Sequence, residues 1–165
     1  VLGQNIPGNE EILARAVEEG NEIANHSYDH PAFTTLSDEA IQQQLSSTNQ
    51  LIADATGQEV TVMRPPYGDL NDRTLVTTGI PSILWSVDTN DWQQPGAEAV
   101  ISRAVDGAQP DGIVLMHDIH ETTVAVAADV ADGLLARGFT LVTIDQLFRG
   151  IETGPTFYYS AEGLR

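Results

Sequence analysis

The stretch Gly112-Ile113-Val114-Leu115-Met116-His117 is apolar without alternation until it ends on a histidine. A short continuous run of this kind fits a strand buried on both faces, as in parallel sheets whose crossovers cover each side. Outward from it, residues 22–25, 60–63, 83–87 and 139–144 are further short apolar runs. Segments of helical period separate them. Asn9 stands as an N-cap before a face of Ile12, Leu13, Ala16 and Val17, and Gly20 sits where that helix would end. Ser37 opens a longer helix with Ile41, Leu45, Thr48 and Ile52 on one face, closing near Gly57. Residues 96–106 and 121–137 repeat the pattern, the second closing at Gly138. Strand and helix alternate, which predicts an α/β fold with parallel strands, a barrel or a doubly wound sheet.

Polar residues gather at one end of the expected strands. His26 and His30 follow the first run, Arg64 and Tyr67 the next, Asp88 and Asp91 the third, and His117 the fourth. The C-terminal ends of parallel strands are where such folds build their sites.

Composition removes several classes of function. The chain has 165 residues, 41% hydrophobic and 19% charged, as in an ordinary globular domain. Its formal charge is −17 with only seven Lys plus Arg, so no basic patch is available for a nucleic acid. There is no cysteine, which excludes disulfides, thiolate nucleophiles and Cys-ligated zinc. No apolar run reaches the ~18–20 residues of a membrane span. One domain, 1–165, is expected, and a monomer.

Four short motifs carry the chemistry. His26-Ser27-Tyr28-Asp29-His30-Pro31 places two imidazoles four residues apart, able to face one divalent ion. Taken alone, the pair reads better as two surface or hydrogen-bonding histidines. Arg64-Pro65-Pro66-Tyr67-Gly68 stiffens a loop that holds an arginine able to orient a carboxylate, or is simply a rigid turn. Asp88-Thr89-Asn90-Asp91-Trp92 sets carboxylates beside a large aromatic, as in a sugar-binding wall, though Asx-turn chemistry explains the aspartates too. His117 suits general acid or base work if a carboxylate such as Asp91 favours its charged form; otherwise it is a satisfied core histidine. His120 reads as its neighbour on the loop.

In this order and spacing the motifs H-S-x-x-H-P, R-P-P-Y-G, D-T-x-D-W and L-M-H resemble the polysaccharide deacetylase family, carbohydrate esterase family four. The resemblance runs from Val1 to Leu147. It implies a distorted (β/α) barrel of fewer than eight parallel strands. It also implies metal-dependent removal of O- or N-acetyl groups from a β-linked glycan, acetylxylan or chitin-type ahead of peptidoglycan. By the same resemblance His26 and His30 are metal ligands, for zinc first, with cobalt or nickel also fitting. Arg64 would position the base, Asp91 would pair with His117 as general acid, and Trp92 and Leu115 would line the acetyl-methyl pocket. Tyr67 would offer its backbone N–H to the oxyanion. The family's T-F-D-D-G-P stretch, which gives the base and a third ligand, has no counterpart here. No later segment substitutes, since Asp29 and Asp118 lie near the site in motifs where the family assigns them no such role, and an N-terminal strand is therefore expected to lie outside this sequence. The acetylated glycan as partner implies a secreted protein. Two rivals remain: a glycan-binding module of the same fold without turnover, and another metal hydrolase or isomerase using His26, His30 and His117 together.

Overall fold

Ser37 accepts a hydrogen bond from the Ala40 N–H, Asp38 and Glu39 occupy the first turn, and Gly57 ends the helix at φ 71°. Those three features bound a helix of Asp38–Thr56 and show why it starts and stops there. The computed structural model describes residues 1–149, 154 and 156–162, so the expected domain 1–165 includes residues outside the described ones. Among the described residues the helices are α1 (Glu10–Glu18), α2 (Asp38–Thr56), α3 (Asp72–Thr78), α4 (Ala97–Gly107), α5 (Glu121–Ala136) and α6 (Ile144–Leu147). The strands are β1 (Ser82–Ile83), β2 (Val87–Asp88), β3 (Val114–Leu115) and β4 (Phe157–Tyr158). No helix among these is long and apolar enough to cross a membrane. The chain divides into two compact units, one holding Val1–Leu84 with β4, the other residues 85–149 and 159–162.

In the first unit Asn25 pairs with Met63, Met63 with Ser82, and β1 with β4, all in parallel. Residues 1–3 run beside the first of these segments. His26 N–H donates to the Val1 carbonyl at 2.9 Å and Gly3 N–H to the Ser27 carbonyl at 3.0 Å. The buried stripe Ile41, Leu45, Thr48 and Ile52 is the one expected for α2. Ile41 and Leu45 pack with Phe33 and Met63, and Ile52 with Ile6 and Leu13. Each fully buried aliphatic side chain contributes on the order of 1.5–3 kcal/mol. In α1 only Leu13 is buried; Ile12 faces solvent, contrary to the expected face. Asn9 stands at the N-cap position but makes no side-chain cap bond; its Nδ2 donates to the Asn5 carbonyl.

In the second unit β2 pairs in parallel with β3, and Gly112 pairs antiparallel with Ser160. Helices α4 and α5 pack together through Ala104, Ala108, Val130 and Leu134.

Of the expected strands, 22–25 and 60–63 are reduced to isolated bridges at Asn25 and Met63, and the run from Gly112 shortens to Val114–Leu115; the other two depart further. The run 83–87 is not continuous: Ser86 and Val87 both donate to the Ile113 carbonyl, at 3.0 and 3.1 Å. Two donors on one acceptor put an extra residue in the ladder, which breaks the run into β1 and β2. The run 139–144 forms no strand. Thr143 and Gln146 instead close a capping box that starts α6 at Ile144, and Leu141 and Val142 are exposed. Helix α3, not expected, is bounded by the Asn71–Thr74 capping box and by Gly79 at φ 70°.

Candidate functional site

The histidine pair of the first unit sits on a loop held from beneath by α2. Asn25 is buried; its Nδ2 donates to the Leu45 carbonyl at 3.0 Å and to Asn49 Oδ1 at 2.6 Å. Its Oδ1 accepts from the Ser27 N–H at 2.7 Å, and Ser27 Oγ accepts from the His30 N–H at 2.9 Å. Gln44 Oε1 accepts from the N–H groups of Tyr28 and Asp29. These bonds hold Ser27 and His30 at φ 71° and 68°, where a side chain is disfavoured and strain points to a functional position. Asn25→Ala should lower the unfolding free energy by about 3 kcal/mol, because the buried partners lose their bonds with no water to replace it. Urea denaturation measures this, and a loss under ~1 kcal/mol would mean the loop does not hang on Asn25.

The His26 imidazole is oriented by the backbone of the next motif. His26 Nδ1 lies 2.7 Å from the Arg64 carbonyl, which can only accept, so Nδ1 carries the proton and Nε2 keeps its lone pair. Burial pushes His26 down to about 4, against the raising effect of that bond to the Arg64 carbonyl, so the ring is neutral at pH 7. The His26 and His30 ring centres are 4.9 Å apart at 69°. Two imidazoles sharing a tetrahedral ion at ~2.1 Å per nitrogen have centres about 5 Å apart. The pair therefore fits half of a tetrahedral site. Among the described residues no group of three or more His, Cys, Asp or Glu is placed to hold a metal ion. Asp29 does not stand in, since Gln44 Nε2 donates to its Oδ1 at 2.7 Å on the exposed side of the loop.

Arg64 is turned to the backbone. Its Nε donates to the Ile83 carbonyl at 3.0 Å and its Nη2 to that of Leu84 at 3.2 Å. Burial lowers the guanidinium from its ordinary value. Tyr67, after Pro65 and Pro66, is held at φ 61° with its side chain 70% exposed and its ring edge-on to His30 at 4.5 Å.

The second unit builds a buried acid–imidazole pair. Asp91 is 1% exposed, in a short 3-10 turn (Asp91–Gln93) flanked by Asn90 and Gln94 at φ 50° and 52°. Its Oδ1 accepts from His117 Nδ1 at 2.7 Å and from the Trp92 N–H at 3.0 Å. Its Oδ2 accepts from the His117 N–H at 2.6 Å and from Thr123 Oγ1 at 2.9 Å. Burial alone would raise the Asp91 carboxyl, but the bonds from His117 and Thr123 outweigh it and hold the group below the usual range. A carboxylate bonded to Nδ1 leaves His117 Nε2 as the ring atom available to exchange a proton. Trp92 is 54% exposed and Leu115 is buried, so of these two only Trp92 presents surface. The Leu115 carbonyl accepts from Thr89 Oγ1 at 2.9 Å. His120 N-caps α5 by position, its ring 6.4 Å from that of His117.

Residues 1–79 match the family model for polysaccharide deacetylase. A peptidoglycan-N-acetylglucosamine deacetylase of Listeria monocytogenes is 40% identical over 148 residues, 90% of this chain and 32% of that protein. A solved structure, "T48 deacetylase with substrate", matches at TM-score 0.92 and 36% identity, covering 96% of this chain and 80% of that one. The chain belongs to the polysaccharide deacetylase family. Its fold class is accordingly that of the family's (β/α) barrel domains, as expected from the alternating pattern. The polysaccharide deacetylases are generally metal-dependent. A CE4 family pseudoenzyme from Bacillus anthracis also matches, at TM-score 0.81 and 29% identity, over 96% of this chain and 58% of that one. The chain spans about a third of the length of the curated peptidoglycan deacetylases it matches.

Asn25, Asn49, Gln44 and Thr123 were not singled out from sequence. Asn25 had a visible signal, a polar residue ending an apolar run just before His26. Thr123 had none, lying 32 residues from Asp91 in an alanine- and valine-rich helix.

Proposed function

We propose that this protein is a metal-dependent hydrolase that removes acetyl groups from a β-linked glycan, N-acetylglucosamine units first. The reading rests above all on the buried Asp91, whose bond to Nδ1 commits His117 to proton transfer through Nε2. A divalent ion, zinc in this proposal, would be held by His26 and His30 and supply Lewis acidity toward an acetyl carbonyl and water. His26 contributes a neutral ring already turned by its bond to the Arg64 carbonyl. His117, held by Asp91, delivers a proton from Nε2 to the departing amine or alcohol. Asp91 keeps its own charge throughout and fixes the ring's tautomer. Arg64 braces the loop that carries Tyr67, and exposed Trp92 offers a face to a sugar ring.

Two observations favour the N-acetylglucosamine unit. The 40%-identical relative is named for it. The charge of −17 disfavours densely anionic polymers and suits a neutral chain such as chitin. Export to where such glycans lie belongs to the same proposal. The test is acetate release from chitin oligomers, peptidoglycan and acetylxylan, with and without a chelator. Chelator-sensitive release is expected, fastest on an N-acetylglucosamine substrate; release insensitive to chelator would overturn the metal part.

A second reading, glycan binding without turnover, is favoured by the likeness to the CE4 family pseudoenzyme. Glycan affinity that is unchanged by zinc, with no acetate released, would establish it.

A further inference from the structure

Each oxygen of the Asp91 carboxylate takes two hydrogen bonds, and the four donors are two backbone amides, an imidazole and a hydroxyl. Two come from His117 and one from the backbone of Trp92, the next residue along. The remaining one is the Thr123 hydroxyl, delivered from the first turn of α5. Thr123 is 3% exposed, so no solvent molecule stands ready to replace its O–H. A carboxylate turns easily about its Cβ–Cγ bond, since that torsion is broad and two-fold. A threonine in a helix is held to two main χ1 rotamers, one bonding back to its own helix, so its hydroxyl has few directions to take. The residue's other local option would be to bond within its own helix end. Helix α5 has no side-chain cap bond, and the Thr123 hydroxyl goes to Asp91. The positive end of α5 also favours the anionic form of a carboxylate held there.

We infer that Thr123 is a positioning residue for the Asp91–His117 pair: its hydroxyl pins Oδ2, which keeps Oδ1 in line with His117 Nδ1 and so sets where Nε2 points. The inference rests on the reading of His117 as proton donor, but the geometry it concerns exists without substrate or metal. Sequence places Thr123 in the second half of an unremarked pair, Thr122-Thr123, of which Thr122 is partly exposed and Thr123 is the one turned inward.

The test compares Thr123→Val, which keeps the shape and removes the O–H, with Thr123→Ser, which keeps the O–H. Turnover of the Val variant should fall on the order of 10-fold with KM little changed, as for loss of an outer partner of a catalytic group. Thr123→Ser should recover most of it. In an Asp91→Asn background, Thr123→Val should add no further loss, because the two act through one contact. A second readout needs no activity: the downfield proton resonance of the His117 Nδ1–H, followed by NMR. It should move and exchange faster in Thr123→Val and stay in place in Thr123→Ser. Equal impairment of Ser and Val would show packing at work and overturn the inference, as would a Val variant with unchanged turnover and an unmoved resonance. A wild-type protein with no deacetylase turnover would overturn the functional reading instead, and the resonance would still decide whether Thr123 holds the pair.

Discussion

Asp91→Asn should lower kcat by about 10²–10⁴-fold, the usual worth of a positioned general acid, while leaving KM within a small factor. An amide can still accept at one oxygen, but it brings an NH₂ toward groups that all donate. His117 Nδ1–H, His117 N–H, Trp92 N–H and Thr123 O–H currently share two acceptor oxygens. Replacing one oxygen with a donor breaks two of those bonds whichever way the amide turns. His117 then loses both its orientation and the negative charge beside it. Stability should follow pH in a defined way. The folded carboxyl titrates below its unfolded value, so its contribution is complete above the ordinary carboxylate range, near pH 4, and is lost as pH falls through the folded value. Asp91→Asn lacks this contribution, so its loss of stability relative to the native chain should be largest near neutral pH and shrink in acid. Denaturant titrations at pH 7 and pH 3 check it, alongside steady-state kinetics. A variant with native kcat would remove Asp91 from the reaction.

What the sequence displays and what it hides divide along physical lines. Helix α2 was legible because Ser37, Gly57 and the stripe from Ile41 to Ile52 are local signals that agree with one another. The run 139–144 misled because Phe139, Leu141, Val142 and Ile144 suit a strand, whereas Thr143 and Gln146 decide the matter through a capping box. Helix α3 escaped notice because seven residues show barely two turns of periodicity. Among the site residues, His26, His30, Asp91 and His117 stand out by type and by their place after apolar runs. Their bonding partners do not. That Asn25 ties Ser27 to α2 depends on contacts 20 and 24 residues away, and that Thr123 reaches Asp91 depends on one 32 residues away. Asp29 lies between His26 and His30 in sequence, yet Gln44 Nε2 bonds it on the exposed side of the loop, a contact 15 residues away.

Single substitutions His26→Ala and His30→Ala should each weaken zinc binding by at least ~10²-fold, because even an outer partner of a metal ligand is typically worth 10–100-fold and these are proposed as ligands themselves. The two need not behave alike in stability. His26 is half-buried, bonded to the Arg64 carbonyl and close to the Val1–Gly3 segment, so its removal disturbs the loop as well as the donor set. His30 is kept in its left-handed conformation by Ser27 Oγ, a contact made by its backbone, so the alanine variant retains it. His30→Ala is thus the cleaner probe: lost metal with a nearly native unfolding midpoint is the expected pair of results. His117→Ala completes the set, because Nδ1 and the backbone N–H of His117 are both committed to Asp91. Metal should remain in His117→Ala while turnover disappears. Stoichiometric zinc in a folded His26→Ala, His30→Ala double variant would dismiss the pair as ligands. Metal lost on His117→Ala would favour a three-histidine site and a different hydrolytic or isomerising chemistry.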